Sequence, residues 1–231
     1  MSNYKFYKLS ESYSRVLSGE CGNISLHIST TNSKLGIIPS FNLLPGLTCS
    51  PSACLHCMRE GCYAVKNAFR CGYDVSKNST LHAWTDNTVL AMVFLPHLEE
   101  KLMEYFTDHR ITIKFFRIHS SGDMFSVEYA HMWYRIAKAF PDINFLAFTK
   151  QWDIVRAVPF YRLRNFSLVL SGWTGVVIPD DLRKHYRCAW CNDGQEECIP
   201  SSALECPGNC ESCGMCWHLR SIHKDVYFNK H

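Results

Sequence analysis

Long apolar runs are missing from this 231-residue sequence: no stretch approaches the about eighteen consecutive apolar residues that a membrane-spanning helix needs. Charge is sparse at 19%. The net value of +3 permits a local basic groove but does not by itself argue for nucleic acid, because dedicated binders carry a stronger imbalance. Internal repeats and low-complexity tracts are absent. The opening "MSNYKFYKLSESYSRVL" has no apolar core region and no small-residue cleavage site, so it is not a secretory leader. With 47% hydrophobic residues the chain is not disordered and has enough for one sizeable core. These absences predict a folded protein without a membrane partner, working in a cytosol where thiols are kept reduced.

What stands out against this background is cysteine. The thirteen residues fall into two groups: Cys49, Cys54, Cys57 and Cys62 near the front, and Cys188, Cys191, Cys198, Cys206, Cys210, Cys213 and Cys216 near the end. Cys21 and Cys71 stand apart. In a reducing compartment, grouped thiols read as metal ligands before they read as bridges.

The middle of the chain alternates strand-like and helix-like segments. "ITIKFFRIH" (Ile111–His119), "INFLAFT" (Ile143–Thr149) and "FSLVLS" (Phe166–Ser171) are short apolar runs of the kind that form strands buried on both faces. Between the first two lies "SVEYAHMWYRIAKAF", with apolar residues at three-to-four spacing, Ser126 as N-cap and Pro141 closing it. "WDIVRAVPFYRL" predicts a shorter helix ended near Pro159. "NTVLAMVFLPHLEEKLMEYFTDH" predicts a long helical stretch interrupted around Pro96. The β-α-β-α-β order points to parallel strands joined by right-handed crossovers. The expected organisation is an N-terminal extension over 1–33, an α/β unit of parallel strands over 34–186 entered through the extended "KLGIIPSFNLLP", and a cysteine-rich tail over 187–231 held by metal.

Cys206, Cys210, Cys213 and Cys216 have the spacing C-x3-C-x2-C-x2-C. A single zinc ion usually takes two ligand pairs a dozen or more residues apart. Four thiols in one tight loop better suit a cubane (4Fe-4S) iron–sulfur cluster, whose irons each take one thiolate. Pro207, Gly208 and Gly214 let the backbone curl around it. The competing arrangement is a zinc ribbon built from Cys188-x2-Cys191 and Cys213-x2-Cys216. In the cluster reading Cys188, Cys191 and Cys198 serve a further site, share ligation, or are plain thiols. In the front group, three ligands would leave one iron open to a small molecule and four would close the cluster; a zinc knuckle is the alternative.

"SFNLLPGLTC…C…CYA", "FRIHSSGDMFSVEYAHMWYRIAKAFPDINFLAFTK", "NFSLVLSG" and the cysteine-rich tail together resemble the gene product 88 family of phage proteins, over roughly residues 34 to 217 by motif order. The resemblance implies work in the cytoplasm of a host cell, and matches Cys49, Cys57 and Cys62 to the family's front cysteines, with Cys54 an addition. The layout also resembles radical-SAM enzymes, in which a strand feeds a three-cysteine loop and a glycine-rich acidic turn after the next strand holds the amino group of S-adenosylmethionine. That resemblance implies Gly122 and Asp123 as cofactor-binding residues, with Thr149, Lys150 and Ser171 on the same rim. It also implies a partial (β/α) barrel over 34–186, and it departs in two respects: the spacing C-x3-C-x2-C is absent from the front group, and the barrel is short, with about four or five strands recognisable by pattern.

For Asp123 an N-cap role is the alternative, for His119 and Arg117 a rim position bonded to backbone, and for Lys150 a solvated rim. Trp84, Trp133, Tyr134 and Phe140 read as core. The C-terminal "HLRSIHKDVYFNKH" reads as a solvated terminal helix, with nucleic-acid contact the other reading. The leading function is an iron–sulfur protein carrying one or two clusters, with redox or radical chemistry on an unknown substrate and an electron donor of the ferredoxin or flavodoxin type. A non-enzymatic carrier or sensor, and a zinc-stabilised module binding nucleic acid or protein, are the other classes.

Overall fold

The computed structural model describes residues 10–19, 24–51, 62–68, 77–192 and 199–229. Eight strands are present among them: β1 (Ile28–Ser29), β2 (Ser40–Phe41), β3 (Phe115–Ile118), β4 (Asn144–Thr149), β5 (Phe166–Gly172), β6 (Arg187–Asn192), β7 (Leu204–Glu205) and β8 (Val226–Asn229). They form one sheet in the order β1-β2-β3-β4-β5-β6-β8-β7. The β1–β2 pair is antiparallel, and the other pairings are parallel. The protein is therefore α/β with a mostly parallel sheet, and β1 and β7 are its two edges.

Sequential neighbours joined by right-handed crossovers put their helices on one face. The helices are α1 (Ser10–Ser18), α2 (Tyr63–Ala68), α3 (Ser79–Val93), α4 (Leu95–Asp108), α5 (Val127–Ala139), α6 (Trp152–Ala157), α7 (Asp180–Arg183), α8 (Cys210–Cys213) and α9 (Leu219–Ile222). Ser126 is the N-cap of α5, its hydroxyl accepting the Tyr129 amide at 3.1 Å. The long helical stretch breaks at Phe94 rather than at Pro96, which occupies the first turn of α4, where its missing N–H leaves no bond unmade. Strand β3 is shorter than the apolar run that predicts it. The amides of Thr112 and Ile113 close the end of α4 onto the His109 carbonyl, so the strand starts at Phe115.

Strand alternation divides the core in two. Phe116, Ile118, Phe145, Ala147, Leu168, Leu170 and Cys188 face the helices and pack with Leu98, Leu102, Phe106, Trp133 and Ile136. Leu146, Val169, Ala189 and Val226 face the other way and pack with Cys216, Trp217 and Leu219. The stretch from residue 187 onward thus adds three strands to the sheet and lays a second layer, carrying α8 and α9, over the face opposite the crossover helices. Trp217 keys that layer in place: its indole N–H donates to the Asn144 carbonyl at 3.1 Å, and its own carbonyl accepts Ser167 Oγ at 2.7 Å.

The terminal segment expected as a solvated helix is instead the short α9 followed by β8, with Val226 fully buried. Val226 and Phe228 point to the tail layer and Tyr227 to the helices, an alternation that suits a strand. Trp84, Trp133 and Phe140 are buried as the core reading requires, and Tyr134 packs against the core from a half-exposed position. No helix among the described residues is long and apolar enough to cross a membrane.

Candidate functional site

The C-terminal ends of β2 and β3 are tied together before any pocket is formed. Asn42, directly after β2, accepts the Ser120 amide at 2.7 Å and the Ser121 amide at 3.3 Å. Leu43 N–H donates to the Ser121 carbonyl at 3.0 Å, and Ser121 Oγ donates to the Leu43 carbonyl at 2.8 Å. Gly122 has φ +83°, and a Cβ there would lie 2.7 Å from both Leu43 Cβ and Thr48 Oγ1. Its missing side chain is what lets the Ser-Gly-Asp turn approach the loop that carries Cys49. That loop is held further by Thr48 Oγ1, which donates to the Leu44 carbonyl at 2.8 Å, by Tyr13 Oη on the Pro45 carbonyl at 2.6 Å, and by Thr88 Oγ1, which accepts the Leu44 amide at 2.8 Å.

Between this loop and the sheet rim lies a cavity of about 90 Å³, roomier than a single water requires. Cys49 and Cys62 line it on one side. Arg117, His119, Gly122, Asp123, Phe148, Lys150 and Ser171, from the ends of β3, β4 and β5, line it on the other. Cys49 Sγ accepts the Gly46 amide at 3.4 Å. The position is the one at which parallel α/β sheets hold ligands, outside the carboxyl ends of the strands.

Asp123 is 5% exposed. Its Oδ2 accepts the Lys150 amide at 2.8 Å and its Oδ1 the Met124 amide at 2.7 Å, so the carboxylate clamps the end of β4 to the turn after β3. Burial raises its pKa, opposed by those amides and by the Lys150 charge. The N-cap of the following helix is Ser126, not Asp123. His119 adopts a left-handed backbone, φ 61°, and is buried. Its Nε2 is 2.7 Å from Tyr129 Oη, while Nδ1 is buried without a hydrogen-bond partner. Burial first, then the nearby Arg117 charge, lowers its pKa to about 3, so the ring is neutral. Arg117 donates from Nε to the His119 carbonyl at 3.1 Å and lies 4.0 Å from the centre of the Phe148 ring. Burial lowers its pKa as well.

The tail thiols gather separately. Cys206, Cys210, Cys213 and Cys216 line one small hollow with Pro207, Asn209, Gly214, Met215 and Trp217. Gly208 and Gly214 have φ +81° and +60°, the left-handed turns that curl this loop. The loop is pinned at both ends, the Cys206 amide on the Tyr227 carbonyl and the Cys210 amide on the Lys34 carbonyl, both at 2.8 Å. Burial pushes the Cys216 thiol up to about 12, with Arg117 pulling it down and Cys206, Cys210 and Cys213 pushing it up. Arg117 therefore lines the rim cavity with the front thiols and acts electrostatically on the tail thiols, because it sits on the tail-facing side of β3.

Cys188 belongs to neither group. It faces the helices, on the opposite side of the sheet from Cys216, and Arg183 Nη1 donates to its sulfur at 2.9 Å. The zinc-ribbon pairing with Cys213 and Cys216 is accordingly not formed. Cys54, Cys57 and Cys198 lie outside the described residues. One cluster of donors escaped the sequence reading: His27, His82 and Asp86, whose ligand atoms converge within 4.8 Å. The i,i+4 pair His82 and Asp86 on α3 was its legible half.

Fold and site together define an α/β protein with a cysteine-bearing pocket at the rim of a parallel sheet and a second thiol set under its far face. The gene product 88 family model matches residues 17–175, and the chain belongs to that family of phage proteins. The Gene 88 protein of Mycobacterium phage L5 is 32% identical over 146 residues, 61% of this chain and 59% of the relative. That of Mycobacterium phage D29 is 31% identical over the same share of each. The chain spans 59% of the length of these relatives. No solved structure matches it. The front cysteines, Gly122 and Asp123 fall inside the family match, and the tail thiols fall beyond it.

Proposed function

We propose that this protein holds an iron–sulfur cluster on its front cysteines, next to a rim pocket that binds a small ligand for redox or radical-type chemistry, in the manner of radical-SAM enzymes, and a second cluster on its tail. The observation that carries this reading is the shared cavity: Cys49 and Cys62 open onto the same space as Arg117, His119, Asp123, Lys150 and Ser171. When bound, such a cluster supplies single electrons to the pocket's occupant.

The residues present fit such a group. Cys206, Cys210, Cys213 and Cys216 line one hollow, the number of thiolates that a four-iron cluster takes. Burial raises the Cys210 thiol pKa, opposed by the Arg117 and Lys34 charges, and those two cations suit an anionic group. In the pocket, Arg117 and Lys150 offer positive charge to a carboxylate or phosphate, Phe148 supplies an apolar wall, and Asp123 holds the rim in register. A zwitterion such as S-adenosylmethionine has the matching chemistry, and its reductant would be of the ferredoxin or flavodoxin type.

Iron and acid-labile sulfide analysis of protein purified without oxygen tests the first half. Both elements present, with broad visible absorption, support it; stoichiometric zinc without iron overturns it in favour of a zinc-stabilised module. The second half is tested by adding dithionite and S-adenosylmethionine. Reductive cleavage that is lost in Cys62→Ser supports it. An iron-loaded protein that neither binds nor cleaves the compound is a carrier or sensor. Cys213→Ser should remove tail metal and lower the melting temperature, since ligation free energy is folding free energy; unchanged metal content and melting would exclude the tail site.

A further inference from the structure

His27, His82 and Asp86 lie away from both thiol groups. His82 and Asp86 are one turn apart on α3, and His27 reaches them from the segment before β1. Asp86 is 1% exposed, and a carboxylate buried to that degree is costly unless its charge is met. The compensation in place is incomplete. His27 Nε2 is 3.1 Å from Oδ2, and His82 Nε2 stands 3.6 Å from the same oxygen, too far for a hydrogen bond. Oδ1 has no hydrogen-bond partner, the Arg15 guanidinium reaching only to 3.7 Å. The two imidazoles meet edge to face with centroids 5.8 Å apart, so both Nε2 atoms and Oδ2 turn toward one point.

We infer that His27 Nε2, His82 Nε2 and Asp86 Oδ2 form a binding site for a divalent first-row transition metal of the zinc class. Zinc with Zn–N and Zn–O bonds of about 2.0–2.2 Å separates tetrahedral donors by about 3.4 Å. The separations of 3.1 and 3.6 Å bracket that value. Two imidazoles and one carboxylate suit zinc, cobalt or nickel and not calcium or magnesium, which prefer all-oxygen shells. Metal bonds there replace the contact between His27 Nε2 and Asp86 Oδ2. The half-exposed His82 leaves an outward coordination position for water.

The site has a structural consequence. Asn87, the residue after Asp86, accepts the His27 amide at 2.9 Å and donates to the His27 and Asn42 carbonyls, and Thr88 holds the Leu44 amide. A metal there fixes the segment carrying His27 to the helix that braces the Cys49 loop. The inference is independent of the iron–sulfur reading.

The test is zinc content of the full chain after loading and removal of excess metal, in the unmutated protein, His82→Ala and Cys213→Ser. His82→Ala should hold about one equivalent less than the unmutated chain and lose the part of the zinc-induced rise in melting temperature that Cys213→Ser retains. Cobalt loading of the unmutated chain adds a readout that needs no variant: two paramagnetically shifted imidazole N–H resonances, whatever thiolate bands the cysteines contribute. Equal zinc in His82→Ala and the unmutated protein, or cobalt-loaded protein with no shifted imidazole resonances, overturns the assignment.

Discussion

Replacing Gly122 by alanine should be one of the most damaging single-methyl changes available in this protein, and the cost separates into two parts. Its φ of +83° is left-handed, where an L residue costs about 1–2 kcal/mol. The added Cβ would also come within 2.7 Å of Leu43 Cβ and Thr48 Oγ1. Neither yields readily: Leu43 is bonded through its backbone to Ser121, and Thr48 Oγ1 bridges the Leu44 carbonyl and the Asp123 amide. Overpacking of this kind adds about 1–3 kcal/mol, for a total of about 2–5 kcal/mol. Gly175 supplies an internal control. Its φ is +81°, yet a Cβ there meets nothing within 4 Å, so Gly175→Ala bears only the backbone part. Urea unfolding of the reduced, metal-free proteins should then show both midpoints lowered, that of Gly122→Ala by roughly a further 0.3–1 M for a slope of about 3 kcal/mol/M. Coincident midpoints at equal slopes would refute the claim that close approach of the Cys49 loop is what demands glycine.

Three further outcomes follow from buried and part-buried polar groups. Asp225 accepts the Cys188 amide at 2.9 Å, Trp190 Nε1 at 3.1 Å and Arg183 Nη1 at 3.1 Å; Asp225→Ala strands these donors and should cost about 2–4 kcal/mol in urea unfolding. Asn165 Nδ2 donates to the Ala137, Phe140 and Ile143 carbonyls at 2.9, 3.0 and 2.9 Å, closing α5 onto β4, and Asn165→Ala should lower thermal stability by about 1–3 kcal/mol. His119 has its pKa lowered to about 3, against an ordinary value of about 6.5 in the unfolded chain. Its contribution is complete above the unfolded value and is lost as pH falls from there toward the folded one, because the unfolded state then binds the extra proton. Acid titration of stability should be shallower in His119→Gln over that window, and an unchanged slope would show that His119 is not held neutral.

Strands β4 and β5 were legible because continuous apolar runs between polar bounds have one economical fate, burial on both faces of a parallel sheet. The α5 helix was legible because Ser126 and Pro141 mark its ends. The terminal strand β8 was not, because four residues among lysines and histidines look solvated until Val226 finds the tail-facing core. The grouping of thiols and the Ser-Gly-Asp turn could both be read in sequence. That they meet across one cavity could not, since it depends on Asn42 and Gly122 joining elements some eighty residues apart. Arg117 shows the same limit: its spacing in β3 sets which face it occupies, but only the position of the tail makes that face one shared by two thiol sets.

The layering of the sheet also imposes an order of events during synthesis. Strands β2 to β6 and the helices that cover one side emerge from the ribosome before Trp217, Leu219 and Val226, so Leu146 and Val169 stay wet until those residues arrive. For that interval the nascent chain carries a bare greasy flank, an opening for chaperones and for misassociation alike. Seating of the tail layer is then the step that both hides this flank and gathers the late thiols around their hollow.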